Sequence, residues 1–233
     1  LAADAALGAI LLERIRPGQT HDTIIGPDGK GDAEATVIAA RLMRRLWDAP
    51  VDPARFPSVA EWAEGLGRLR RRFDGGTGPL PADLVTRAEG LFDALLASSA
   101  PPVLLHADLH HFNILADGDG WRVIDPKGML GEPAYEAGAF LRNPSWPLPA
   151  GRLDRRVDIL AEHLETDRER ILAWGIAQAV LSAWWSIEDS GSAPDVTPLG
   201  DEEASWNGAR EPYPGASAIE LARLLSGLKD APG

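Results

Sequence analysis

Apolar and polar positions along this chain change period three times, and the changes divide it into elements. Leu7-Gly8-Ala9-Ile10-Leu11-Leu12 is a continuous apolar run of strand length, expected as a short buried strand, with a turn at Pro17-Gly18. Residues 22–31 hold three glycines and Pro27 and read as a loop. Asp32 is then placed to cap a helix on which Val37, Ile38, Leu42 and Leu46 fall on one face. Ser58 and Glu61 form a capping box ahead of Trp62, Leu66, Leu69 and Phe73, and Gly75-Gly76-Thr77-Gly78-Pro79 ends that helix. A further helix is expected from Ala82 to Ser98, with Leu84, Ala88, Leu91 and Leu95 inward, stopped by Pro101-Pro102.

The period then shortens. Residues 103–105, 112–115 and 121–124 are short strand-like runs, the last two joined by the hairpin signal Asp117-Gly118-Asp119-Gly120. Helical spacing returns over 134–142, 152–164, 167–187 and 216–228, with capping boxes at Thr166/Glu169 and Ser217/Glu220. The 167–187 segment is apolar nearly all round, so at least two of Trp174, Trp184 and Trp185 are expected in the core. The pattern predicts an α+β fold, a mainly helical body with a small β element. An acidic, Pro- and Gly-rich loop is expected over 188–215.

Composition narrows the partners. The 233 residues suffice for one large domain or two small ones, and the 45% apolar content for a sizeable core. A net charge of −12 disfavours nucleic acid, which is bound by Lys and Arg neutralising phosphates, and favours cationic ligands. No run is long enough to span a membrane, and with no cysteine the expectation is a cytoplasmic protein.

The candidate chemistry lies in the β element, in His106-Ala107-Asp108-Leu109-His110-His111-Phe112-Asn113 followed by Trp121-Arg122-Val123-Ile124-Asp125. H-x-D-x-x-x-x-N is the spacing by which protein kinases present a base and a metal ligand. Asp108 suits the base that takes a proton from an acceptor hydroxyl. Asn113 and Asp125 offer the oxygen ligands that magnesium prefers, and the hairpin between them brings both to one end of a sheet. A metal-hydrolase reading competes, because His106, Asp108, His110 and His111 are all ligand types. It lacks H-E-x-x-H spacing and leaves Asn113 and Asp125 without a role, and His106 reads better as a packed residue fixing the loop. Glu188 and Asp189, beside Trp184 and Trp185, suit a guanidinium or ammonium substrate; Asp201-Glu202-Glu203 follows in the acidic loop.

Residues 106–115 resemble the H-G-D-L-H-x-x-N-[IV]-L signature of the aminoglycoside phosphotransferases. Ile124-Asp125-Pro126-Lys127-Gly128, Gly131-Glu132-Pro133-Ala134-Tyr135-Glu136 and Leu141-Arg142-Asn143-Pro144 resemble its streptomycin 6-kinase branch, also labelled aminoglycoside/hydroxyurea resistance kinase. The resemblance implies a protein-kinase-like fold, ATP and magnesium (Mg2+), and transfer of the γ-phosphate to a hydroxyl of a small cationic drug. It makes Asp108 the catalytic base, Asn113 and Asp125 the metal ligands, and Leu11, Leu12, Glu13 and Arg14 the hinge that meets adenine through its backbone. Ala107 stands where the family has Gly, and its methyl is expected to be tolerated if the local φ is negative.

By the same resemblance, residues 1–30 are the remnant of an N-terminal lobe with its hinge and 31–233 the C-terminal lobe. The family's small lobe carries a phosphate-contacting lysine. Of the three lysines Lys30, Lys127 and Lys229, none stands at that position. The expectation is an N-terminally truncated chain that acts fully only within a longer parent. Two further readings stay open: a kinase of another small metabolite such as a sugar or amino alcohol, and a pseudokinase-like lobe that binds without transferring phosphate.

Overall fold

A computed structural model of the chain describes residues 2–144, 148–191 and 214–230. Its centre is the helix α6 (Arg168–Asp189), buried along almost its whole length from Ile171 to Ile187. A helix apolar on every face must be surrounded. The helices α1 (Asp32–Trp47), α2 (Val59–Arg72), α3 (Ala82–Ala97), α4 (Ala137–Leu141), α5 (Ala150–Leu164) and α7 (Ala216–Asp230) form the rest of the body. All but α1 pack on α6, and α1 lies against α5. Trp174 and Trp184 are buried in this core and Trp185 is half-buried, as the apolar pattern of the helix requires.

Three small antiparallel sheets complete the chain. The strand β1 (Ala2–Asp4) pairs with β2 (Ala9–Leu11). The strand β5 (Ile114–Asp117) lies between β3 (Pro17–Thr20) and β6 (Gly120–Val123), and β4 (Val103–Leu105) pairs with β7 (Met129–Gly131). The β5–β6 hairpin turns at Gly118, whose φ of +58° is open to glycine at little cost.

The helix starts test the capping logic. The Ser58/Glu61 box is present: Ser58 N–H donates to Glu61 at 2.6 Å and Glu61 N–H to the Ser58 hydroxyl at 3.2 Å. Asp32 is not a cap. It is the first residue of α1, behind Gly31, and its buried carboxylate pairs with Arg156 of α5. Asp167, not Thr166, caps α6, since Glu165 takes a left-handed φ of +53° that ends α5 and leaves Asp167 at the turn. Ser217 falls inside the first turn of α7.

Three other expectations need correction. The apolar run at 7–12 is not buried: Leu7 is 77% and Ile10 72% exposed, because among the described residues β2 pairs with β1 and no layer covers its apolar side chains. Residues 134–142 divide into a 3-10 turn, Pro133–Glu136, and the short α4. Residues 112–113 belong to a 3-10 turn rather than a strand, since His110 Nδ1 accepts the Phe112 N–H at 3.3 Å and curls the chain before β5. The acidic segment 192–213, with Asp201-Glu202-Glu203, lies outside the described residues.

Candidate active site

The chain leaves β4 at Leu105 and turns sharply. Ala107 has φ +66°, a left-handed conformation that costs a residue with a Cβ about 1–2 kcal/mol. The condition of a negative φ is therefore not met, and the strained turn is instead held from several sides. The Glu136 carboxylate lies under it and accepts the backbone N–H of His106 at 2.7 Å and of Ala107 at 2.9 Å. Burial pushes this carboxyl up to about 7, while the N–H groups of His106, Ala107 and Leu109 pull it down.

His106 is buried and has both ring nitrogens engaged: Nε2 donates to Ile124 O at 2.8 Å and Nδ1 accepts Asp108 N–H at 3.3 Å. Its carbonyl accepts Lys127 N–H at 3.0 Å. One residue thus ties the turn carrying Asp108 to the segment carrying Asp125. Burial holds its pKa below the usual imidazole value.

Asn113 is brought to the same place. Its Nδ2 donates to the Asp108 carbonyl at 3.0 Å and its own carbonyl accepts Ile124 N–H at 3.0 Å. No described group donates to its Oδ1. The Asp125 carboxylate is exposed and likewise without a hydrogen bond or ion pair among the described residues, at the end of β6 with φ +55°. An amide oxygen one residue before β5 and a carboxylate two residues after β6 are the hard oxygen donors magnesium takes, so the donor set fits that ion. Among the described residues no group of three or more His, Asp or Glu side chains could hold a metal ion. The histidines of the loop are taken by the backbone or buried.

Asp108 opens into a cavity of about 470 Å³. Trp62 and Trp185 stand on its wall with their rings edge to face at 4.9 Å. Asp189 and Glu61 add acidic groups, and Lys127 and Arg142 basic ones. Glu188 is held in a bidentate pair by Arg68 at 2.7 and 2.9 Å, which leaves Asp189 as the carboxylate of that pair facing the cavity. Leu11 to Arg14 are exposed and none of them lines this cavity; Glu13 reaches Arg122 at 3.0 Å beside the β5–β6 hairpin. Pattern reasoning did not single out Glu136, Trp62 or Arg142 for the site. Their only signal was membership of a capping-box helix or of the segments that carry the family resemblance.

Behind the loop, His111 stacks on Phe140 at 4.1 Å, and the guanidinium of Arg156 lies 5.3 Å from the same ring. His21 adjoins His111, and among the described residues neither ring nitrogen of either one has a hydrogen-bond partner. Burial, with the nearby Arg156 charge, holds His111 down to about 2, and burial holds His21 down to about 4.

The model of the family "aminoglycoside/hydroxyurea antibiotic resistance kinase" matches residues 1–191. A streptomycin 3''-kinase of Klebsiella pneumoniae is 33% identical over 193 residues, 79% of this chain and 69% of that protein. A hydroxyurea phosphotransferase of Kitasatospora aureofaciens is 31% identical over 195 residues, 80% of this chain and 53% of that protein. A streptomycin 6-kinase of Streptomyces griseus is 27% identical, and 61% of its length is matched. Among solved structures, a choline/ethanolamine kinase family protein of Mesorhizobium loti superposes with a TM-score of 0.68 at 18% identity, covering 100% of this chain and 72% of its own. An aminoglycoside phosphotransferase solved with ADP and hygromycin B superposes with 0.60 at 13% identity, covering 94% and 71%. These likenesses show a protein-kinase-like fold. The chain belongs to the aminoglycoside/hydroxyurea antibiotic resistance kinase family and is, by that membership, a phosphotransferase to a hydroxyl acceptor.

Proposed function

We propose that this protein transfers the γ-phosphate of ATP to a hydroxyl of a small cationic molecule, streptomycin or another aminoglycoside, and does so in the cytoplasm. The observation that carries the reading is the cavity that joins Asp108 to Asp189 and the Trp62–Trp185 pair. Carboxylate and aromatic faces attract a guanidinium or ammonium group, and the base lies in the same space.

In this mechanism Asp108 orients the acceptor hydroxyl and takes its proton as the oxygen attacks phosphorus. The carbonyl of Asp108 is fixed by Asn113 and its N–H by His106, so the carboxylate is offered from a rigid turn. Asn113 and Asp125 would hold magnesium, which would neutralise charge on the phosphates. Leu11, Leu12, Glu13 and Arg14 meet the adenine through their backbone. Asp189 sets the cationic end of the acceptor, with Glu188 steadying Arg68 beside it.

The test is ADP release by the full-length protein against a panel of aminoglycosides, hydroxyurea, sugars and amino alcohols. Release stimulated by streptomycin or a related aminoglycoside supports the reading. Release stimulated only by a neutral sugar or an amino alcohol replaces the acceptor class. Nucleotide binding with no acceptor-dependent release on any compound replaces it with a non-catalytic binding lobe.

A further inference from the structure

Three arginines set in the helical body, Arg156, Arg170 and Arg142, are not alike. Arg156, fully buried, is paired with Asp32, and Arg170 with Glu132. Arg142, just beyond α4, is partly buried, and its guanidinium has no hydrogen bond and no ion pair with any described residue. Burial pulls its pKa down from the usual guanidinium range, with Asp108 the first of the groups that oppose the pull. Taking a cation out of water without a partner costs several kcal/mol, and an anionic ligand group beside it would offset that cost.

The cavity tells which ligand group that is. Arg142 and Asp108 share its wall. The other arginine there, Arg68, is engaged by Glu188. Lys127 also lines the cavity but is exposed at its rim. The remaining charged groups, Glu61 and Asp189, are acidic and have no use for an anion.

We propose that Arg142 is a catalytic residue that grips the phosphoryl group during its transfer. This rests on the reading of Asp108 as the base. The acceptor oxygen forms a bond to the γ-phosphorus and the bond from that phosphorus to the β–γ bridging oxygen breaks. The electron pair of the broken bond leaves on ADP, and the hydroxyl proton passes to Asp108. The hydroxyl lies between Asp108 and phosphorus, so a cation on the same wall as Asp108 faces the three equatorial oxygens, where charge is spread in the transition state. A planar guanidinium matches two of them at once, which an ammonium does not. Arg142 is regenerated unchanged.

The experiment compares wild type, Arg142→Met and Arg142→Lys, each as the full chain. Two quantities are read: acceptor-dependent turnover, and calorimetric affinity for Mg-ADP with and without aluminium fluoride, a planar mimic of the phosphoryl in flight. Arg142→Met is expected to lower kcat by a factor of about 100–1,000, as for loss of one transition-state contact, with a much smaller change in the acceptor KM. It should lose most of the added affinity that fluoride confers while binding Mg-ADP like wild type. Arg142→Lys keeps the charge and loses the fork, so it should fall by about tenfold and carries the test if the Met variant does not fold. Turnover within about threefold of wild type in the foldable variants overturns the assignment. So does lost turnover with the fluoride-dependent gain intact, which would make Arg142 structural. A wild type with neither turnover nor a fluoride-dependent complex removes the kinase reading itself, and this inference with it.

Discussion

Glu136 holds the backbone N–H of His106 at 2.7 Å across 30 residues of sequence. The bond fixes the loop from beneath, and the next donor, Ala107 N–H, meets the other carboxylate oxygen at 2.9 Å. Removing that carboxylate leaves at least two buried N–H groups unpaired, each worth about 1–3 kcal/mol. Glu136→Ala is therefore expected to destabilise the protein by about 3 kcal/mol or more by denaturant melting. It should also lower turnover in whatever fraction stays folded, since the turn carrying Asp108 loses its support. A loss below about 1 kcal/mol would mean that the loop is held by other contacts.

Ala107 sits at φ +66° where a glycine has no steric penalty. Ala107→Gly should stabilise the native state by about 1 kcal/mol, read as a higher denaturant midpoint at unchanged slope. Destabilisation would show that the buried methyl contributes more by packing than the backbone loses by strain.

Asp32 and Arg156 are a buried pair linking α1 to α5. Arg156→Met leaves a buried carboxylate alone and is expected to cost about 3–5 kcal/mol. Asp32→Ala with Arg156→Met should recover much of that loss, because no charge is then left unpaired. Additive losses in the double variant would contradict a direct coupling.

His21 and His111 give the stability a pH dependence. Unfolded, each takes up a proton near 6.5; folded, they do so near 4 and near 2. The unfolded state thus binds more protons below pH 6.5, and stability falls as pH drops from 6.5 towards 4. Glu136 acts oppositely over an overlapping range. Its carboxyl rises from 4.5 to about 7 in the fold, so its contribution diminishes as pH rises from 4.5 to 7. The informative quantity is therefore the difference between wild type and His111→Leu. That difference should shift in favour of the variant by about 2 kcal/mol between pH 6.5 and 4.5. A constant difference would show that His111 does not titrate between the two states.

The helical body was legible because apolar side chains recur every three or four residues on α1, α2, α3 and α5, and because α6 is apolar on every face. Asp108, Asn113 and Asp125 were legible through local spacing and the strands that flank them. What escaped was set by distant partners. Asp32 looks like a cap until Arg156, 124 residues later, is seen to claim it. The run at Leu7–Leu12 has the composition of a buried strand, yet burial depends on what packs against it. The left-handed turn at Ala107 is imposed by Glu136 and His106, and a single residue type does not reveal it. Arg142 is conspicuous only because its guanidinium lacks the partner that Arg156 and Arg170 have.

The central claim is that Asp108 takes the proton of an acceptor hydroxyl held in the cavity it lines. The most direct measurement is single-turnover transfer of labelled γ-phosphate to the acceptor identified by the panel, with wild type and Asp108→Asn compared at saturating ATP. The account predicts labelled phosphate on an acceptor hydroxyl with wild type. It predicts a rate lower by a factor of about 100 or more in the variant, with nucleotide affinity largely kept. Transfer by Asp108→Asn within a few-fold of wild type would contradict it and remove Asp108 from the mechanism.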